Sequence, residues 1–128
     1  MSALVTHAAW ILLVTFVISA GYELYRVTMK AGVSRHDSTG SFVRSLVLYG
    51  VATIVIAALF SGVSWAAWAG LVFSTVMILV SIFYYNPRIL LERQPGIIDW
   101  FEDLVFTGLL FVAAALLTYE VIGMTLQS

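Results

Sequence analysis

The charged residues of this chain occur in two short clusters, and the rest of the sequence is almost uncharged. Of the 13 Asp, Glu, Lys and Arg residues, 12 lie within residues 23–44 and 88–103, and the remaining one is Glu120. An ionisable side chain is costly to bury in hydrocarbon, so charges are rare inside membrane-spanning segments. The distribution therefore predicts that the two clusters lie at a membrane surface and that the segments between them cross the bilayer.

Composition and segment length support this prediction. The chain is 62% hydrophobic and 10% charged, whereas soluble domains carry about 25% charged residues. One helical crossing needs about 20 apolar residues. Residues 1–22 and 104–128 each supply one crossing, and 45–87 is long enough for two, with a break expected at Ser61-Gly62-Val63-Ser64. Residues 1–22 lack the basic start of a secretory signal, so we expect this first span to be retained.

The predicted fold is all-α, a single membrane domain over residues 1–128 made of two helical hairpins. All six Lys and Arg residues lie in or beside the two connections that the charges mark. Because cytoplasmic loops are enriched in Lys and Arg, we expect both connections in the cytoplasm, both termini on the other side, and the cell (inner) membrane as the location. The expected helices are 3–25, 41–60, 65–85 and 100–125, with cytoplasmic loops at 26–40 and 86–99.

The second connection contains residues typical of helix ends. Asn86-Pro87 is expected to end the third helix, because the residue before a proline disfavours helical geometry. Asp99 is predicted as the N-cap of the fourth helix, with Glu102 three residues later in a capping box. Glu102 and Asp103 would also lie at the positive end of the helix dipole. These acids are therefore interpreted mainly as capping and interfacial charges.

A shift of 58 residues aligns the two predicted hairpins, and it places Ser41 on Asp99 and Arg44 on Glu102. A parallel internal repeat of this kind occurs in some transporters. Coincidence in an apolar sequence is the alternative, and the sequence leaves both open. Arg44 and Glu102 are opposite charges at equivalent positions, so they either pair across the bundle or each face water and lipid headgroups.

Glu120 is the one acid outside the two clusters, and its partner of interest is His7. Asp103 and Glu120 are separated by roughly 25 Å of helix, and His7 and Glu23 by a similar length, so His7 and Glu120 are expected at the same height near the outer surface. Such a pair could exchange protons, bind a cation or close an outer gate. The alternative is that both side chains extend into the outer headgroups.

The sequence contains no recognisable catalytic motif and no cysteine. The two histidines, His7 and His36, are expected on opposite sides of the bilayer, so they cannot share a metal ion, and we predict no cofactor. A net charge of −1 without a basic patch argues against nucleic acid as a partner. The expected partners are the lipid bilayer and either further copies of this chain or other membrane subunits.

Small residues at Ala58-x-x-x-Gly62 and Ala66-x-x-x-Gly70 are typical of closely packed membrane helices. Together with the missing catalytic groups, they favour a non-enzymatic membrane protein that acts as an oligomeric or accessory subunit of a membrane complex. The alternative function is a small ion, proton or solute transporter or channel, with Glu120 and His7 near an outer gate.

Overall fold

The protein is a bundle of four long helices, and each is long and apolar enough to cross a membrane. The computed structural model describes residues 3–29, 39–91 and 96–127, and within these ranges it contains no strand. The predicted all-α bundle of four membrane-spanning helices is thus confirmed, while the sides of the membrane on which the termini lie stay a prediction. The elements are α1 (Ala3–Met29), α2 (Thr39–Ser61), α3 (Ala66–Val80), a π-helical continuation of α3 that we call the π segment (Ser81–Leu90), and α4 (Ile97–Gln127).

The turn between α2 and α3 is where small polar residues predicted a break. Gly62 has a φ of 76°, and its N–H donates to the Ala58 carbonyl at 3.2 Å. A left-handed residue just after a helix is usually glycine, because other side chains are strained there. Gly62 thus ends α2 and lets the chain reverse into α3.

The third span runs past the position where the sequence predicted its end. The helix continues through Asn86-Pro87 as the π segment and reaches Leu90. A proline lacks the N–H of an α-helical turn and its ring clashes with the preceding turn. The wider π-helical turn changes which carbonyl each N–H meets, and this explains how the helix accommodates Pro87. α1 and α4 also extend further than expected, to Met29 and from Ile97.

The core is formed where all four helices meet around one aromatic residue of α1. The Phe16 ring lies 6.3 Å from the ring of Tyr49 on α2, 5.5 Å from that of Phe73 on α3 and 5.6 Å from that of Phe106 on α4. Edge and tilted contacts of this kind are the favoured geometries of aromatic pairs. Phe16 therefore ties the two hairpins together near the middle of the bundle.

Close approach of the helices depends on a glycine that the sequence had marked as a small-residue position. A Cβ atom on Gly70 would lie 2.9 Å from Leu117 Cδ1 and 3.3 Å from the Leu59 methyl groups. Both leucines are fully buried. α3 can thus pack against α2 and α4 at this level only because residue 70 has no side chain.

Candidate functional site: a cavity at the loop end

The bundle contains a cavity at one end, which we call the loop end: the end where α1 and the π segment finish and where α2 and α4 begin. The cavity has a volume of about 210 Å³, the share of roughly seven liquid water molecules. Its lining comes from all four spans, and more than half of the lining side chains are polar. They are Ser19, Glu23, Ser45, Leu48, Tyr49, Met77, Val80, Ser81, Tyr84, Tyr85, Ile89, Glu102 and Phe106.

On each span, the residues that line the cavity are separated along the sequence as residues on one face of a helix are. On α1 the lining residues are four apart, as are Ser45 and Tyr49 on α2 and Glu102 and Phe106 on α4. The third span contributes a longer row at the same spacing, which includes Ser81 and Tyr85. Residues four apart lie on one face of a helix. Each helix therefore presents one face to the cavity, and each of these faces includes at least one polar side chain.

A buried ion pair beside the cavity joins α1 to α4. The Arg26 guanidinium donates from Nη1 to Asp99 Oδ1 at 3.1 Å, and Arg26 is only 1% exposed. The Tyr22 hydroxyl donates to the same oxygen. The Gly96 backbone N–H donates to Asp99 Oδ2 at 2.8 Å, so both carboxylate oxygens are satisfied. This cluster holds the start of α4 against the last turns of α1.

A second buried acid, Asp103, lies one helical turn further along α4. Asp103 is 8% exposed, and the side chains of Asn86 and Ser81 hydrogen-bond to it. The Ser81 and Thr107 hydroxyls lie 2.7 Å apart. If Ser81 donates to the carboxyl group, it accepts from Thr107. Ser81 belongs to the cavity lining, so this hydroxyl connects the cavity to the buried acid.

On the opposite side of the lining, Ser19 and Tyr49 connect α1 and α2. Their hydroxyl oxygens lie 3.1 Å apart, and either can be the donor. Because the Tyr49 ring also packs against Phe16, this pair lies between the cavity and the aromatic core. Tyr49 thus belongs both to the cavity lining and to the aromatic contacts of the core.

Of the acids that the sequence predicted as capping and interfacial charges, Asp99 does cap α4 but from another position, and both Asp99 and Asp103 are buried. Asp99 lies in the first turn of α4 and not at its N-cap. Gly96 takes that position, since its carbonyl accepts the Trp100 N–H at 3.1 Å, and Asp99 reaches back to the Gly96 N–H as the third helical residue of a capping box does. Glu102 is half-buried and lines the cavity, whereas Arg44 on α2 is exposed.

His7 and Glu120 lie at the other end of the bundle, far from the cavity. His7 is exposed on α1 and Glu120 is half-buried on α4, and no ion pair joins the two among the residues that the structure describes. The outer gate stays a prediction. His36 and the other residues of 30–38 lie outside the described residues, as do Glu92 and Arg93 of the second loop.

The cavity residues were missed by sequence reasoning because the hydroxyls of Ser19, Ser45 and Tyr49 are common in membrane helices and carry no motif. The available signal was their spacing, with one polar pair four residues apart near the charged end of each of the first three spans. The ion pair of Arg26 and Asp99 was also missed, since both residues were assigned to loops or caps.

The chain has no match among protein-family models, curated proteins or solved structures.

Proposed function

We propose that this protein is a non-enzymatic small transporter or channel, and that the loop-end cavity is its solute-binding site. The observation that carries the proposal is a cavity between the helices, lined from all four spans, whose lining includes hydroxyl and carboxylate side chains. Polar and ionisable groups within membrane spans are costly and commonly mark a substrate or ion pathway. Ligand sites in helical bundles also lie between the helices.

The proposal includes the side on which the cavity opens. The loop end carries the two connections that contain or adjoin all six Lys and Arg residues. By the positive-inside tendency this end faces the cytoplasm. The solute would therefore enter from the cytoplasmic side, and His7 and Glu120 would lie at the non-cytoplasmic end.

The test uses introduced thiols, since the native chain contains no cysteine. Ser45→Cys places a thiol in the cavity lining, and Ser74→Cys places one in the α3 core, where the native side chain is fully buried. Methyl methanethiosulfonate, a small neutral thiol reagent, is added to oriented membrane vesicles, and the modification is followed by intact mass. The proposal predicts rapid modification of Ser45→Cys and slow modification of Ser74→Cys, because thiol reactivity requires access.

Equal and slow modification of the two variants would mean that no solute enters the cavity, and the proposal would be abandoned. A membrane-impermeant charged reagent then shows which side of the membrane the loop end faces. Modification of Met29→Cys, at the end of α1, from the cytoplasmic face only supports the proposed orientation, whereas modification from the opposite face only reverses it.

An oligomeric or accessory-subunit role is a second proposal, supported by the apolar surface of α4. Phe101, Leu104 and Phe111 are more than half exposed on this helix, and either lipid or a second membrane protein can cover them. Native mass determination after mild detergent extraction tests the role. A multiple of 14.1 kDa supports self-assembly, and co-purified proteins in a fixed ratio support an accessory subunit. A monomer without partners contradicts both.

A further inference from the structure

Asp103 is a buried acid within a membrane-spanning helix, and two residues of the π segment contact its carboxyl group. It lies in the span Ile97–Gly123 and is 8% exposed. The side chains of Asn86 and Ser81 both hydrogen-bond to it. In the part of the chain that the structure describes, Asp103 forms no ion pair. An ionised carboxyl group is costly in such a place, because burial removes water from the charge.

The π-helical geometry explains how two residues of one span reach the same carboxyl group. Ser81 and Asn86 are five positions apart and both belong to the π segment. In an α-helix, residues five apart lie about 140° apart around the axis, so their side chains point in different directions. A π-helix has backbone hydrogen bonds between residues five apart, which places such residues on nearly the same face. The π segment thus turns Ser81 and Asn86 toward Asp103.

The amide group of Asn86 has one polar atom with a partner and one without. Its Oδ1 is buried and has no hydrogen-bond partner, so the bond to Asp103 comes from the NH₂ group. A buried acceptor without a partner is destabilising. A protonated carboxyl group has an O–H donor and a C=O acceptor, and it can therefore form two parallel hydrogen bonds with one amide group. The protonated form of Asp103 satisfies Asn86 Oδ1, and the ionised form does not.

Ser81 connects this carboxyl group to the loop-end cavity. Ser81 lines the cavity, and its hydroxyl lies 2.7 Å from that of Thr107. A hydroxyl has one O–H donor and two acceptor lone pairs. While Ser81 donates to Asp103, one lone pair accepts from Thr107 and the other is able to accept from the cavity. A hydronium ion that gives a proton to Ser81 Oγ becomes water, while the former Ser81 proton moves to the Asp103 carboxylate.

Other titratable groups lie at the same end of the bundle, on each element that packs there. Among the described residues they are Tyr22, Glu23, Tyr25 and Arg26 on α1, Arg44 on α2, Tyr84, Tyr85 and Arg88 on the π segment, and Asp99 and Glu102 on α4. Arg26 contacts Asp99, and Arg44 and Arg88 are exposed. The hydrogen-bond partners of Asp103 come from none of these groups, since they are the neutral side chains of Asn86 and Ser81.

We propose that Asp103 is a proton-binding site within the membrane, where its protonated carboxyl group pairs with the Asn86 amide and exchanges its proton with the cavity through Ser81. The site goes beyond the proposed function, because it holds a proton whether or not a solute enters the cavity. Exchange through Ser81 rests on that function only in that water must reach the cavity. Acids that relay protons within membrane spans are typical of pumps and transporters, so the site would link proton movement to solute movement.

Infrared spectroscopy detects the bound proton directly. The native protein and Asp103→Asn are compared at neutral pH, where exposed carboxyl groups are ionised, in dodecyl maltoside, a detergent without carbonyl groups. The difference spectrum should contain the C=O stretch of one protonated carboxyl group, present in the native protein and lost in Asp103→Asn. Glu120→Gln changes another acid of α4 and should retain this band. Asn86→Leu should move the band to higher wavenumber, because the C=O group then loses a hydrogen bond.

Transfer into D₂O tests the exchange route. The band of a deuterated carboxyl group lies at lower wavenumber, so the rate of its shift after rapid mixing measures exchange at Asp103. Ser81→Ala should slow the shift by roughly tenfold or more, as loss of a positioned proton-transfer group does. Thr107→Val removes a partner of the Ser81 hydroxyl but keeps the hydroxyl itself, and it should exchange at nearly the native rate.

The outcomes separate this inference from the proposed function. If the difference spectrum contains no protonated carboxyl band, Asp103 is ionised and the inference is wrong, even when the thiol reagent modifies Ser45→Cys. If the band is present but the reagent does not reach Ser45→Cys, the proton site stands and the proposed function fails. A band that Asn86→Leu does not move overturns the pairing with Asn86, and equal exchange in Ser81→Ala and the native protein overturns the route. The α-helical circular dichroism of each variant verifies that it has folded.

Discussion

The ion pair of Arg26 and Asp99 should behave as a coupled unit, so that removing one partner is worse than replacing both. Asp99→Asn keeps only one acceptor oxygen for the Tyr22 hydroxyl and the Gly96 N–H, and it removes the negative charge beside Arg26, which is 1% exposed. At 3.1 Å and an effective dielectric constant of about 20, the two charges attract each other by about 5 kcal/mol. Breaking a buried pair by removing one partner costs about 3–5 kcal/mol, and we expect a loss of this size in the free energy of unfolding.

Arg26→Met should cost a similar amount, because Asp99 then loses its counter-ion. The double variant Arg26→Met/Asp99→Asn buries no unpaired charge at this place. It should therefore be less destabilised than the sum of the single variants by about 2 kcal/mol or more, a coupling in the range measured for residues in direct contact.

The assay is reversible unfolding in mixed micelles at increasing mole fractions of sodium dodecyl sulfate. The fluorescence of the four tryptophans and the helical circular dichroism report the same transition if unfolding is two-state. The reasoning is refuted if the losses of the single variants add up in the double variant, or if either single variant differs from the native chain by less than about 0.5 kcal/mol.

Two further predictions concern packing and a buried hydroxyl. Gly70→Ala should be about 1–3 kcal/mol less stable than Gly108→Ala in the same unfolding assay. The new methyl group at position 70 meets Leu117, whereas a Cβ on Gly108 meets nothing within 4 Å. Equal stability of the two variants would show that α3 does not pack as described. Ser74→Ala should be neutral or slightly stabilising, since its fully buried hydroxyl has no hydrogen-bond partner, while Thr107→Val removes a 2.7 Å bond and should cost about 1 kcal/mol. The two substitutions are compared by their unfolding midpoints, and a larger loss for Ser74→Ala would contradict the assigned bonding.

Local signals predicted the four helices well but predicted their ends less well. The break at Gly62 was visible because a glycine beside small polar residues interrupts a long apolar run. Pro87 was expected to end a helix, yet the π segment carries the chain to Leu90. A proline disfavours only one pattern of backbone bonding, and whether a helix continues with another pattern depends on the packing around it.

The candidate site was harder to predict, because it depends on contacts between residues far apart in the chain. Asp99 was predicted as a cap from its neighbours along the sequence. Its main partners, Tyr22 and Arg26, are more than 70 residues away, and no local pattern connects them. Glu102 likewise resembled an ordinary charge at a helix start, and only the packing of the helices makes its side chain part of the cavity lining.

The sequence by itself determined that the chain crosses a bilayer four times, since the cost of charge in hydrocarbon and the length of a crossing act on each segment separately. It also determined which end of the bundle carries the charges. Only the tertiary structure decided which of those charges are buried, which are paired and which line a cavity. The physical reason is that the side of an apolar span that faces lipid and the side that faces other helices have the same composition. Which faces pack together is therefore decided by the fit between the helices.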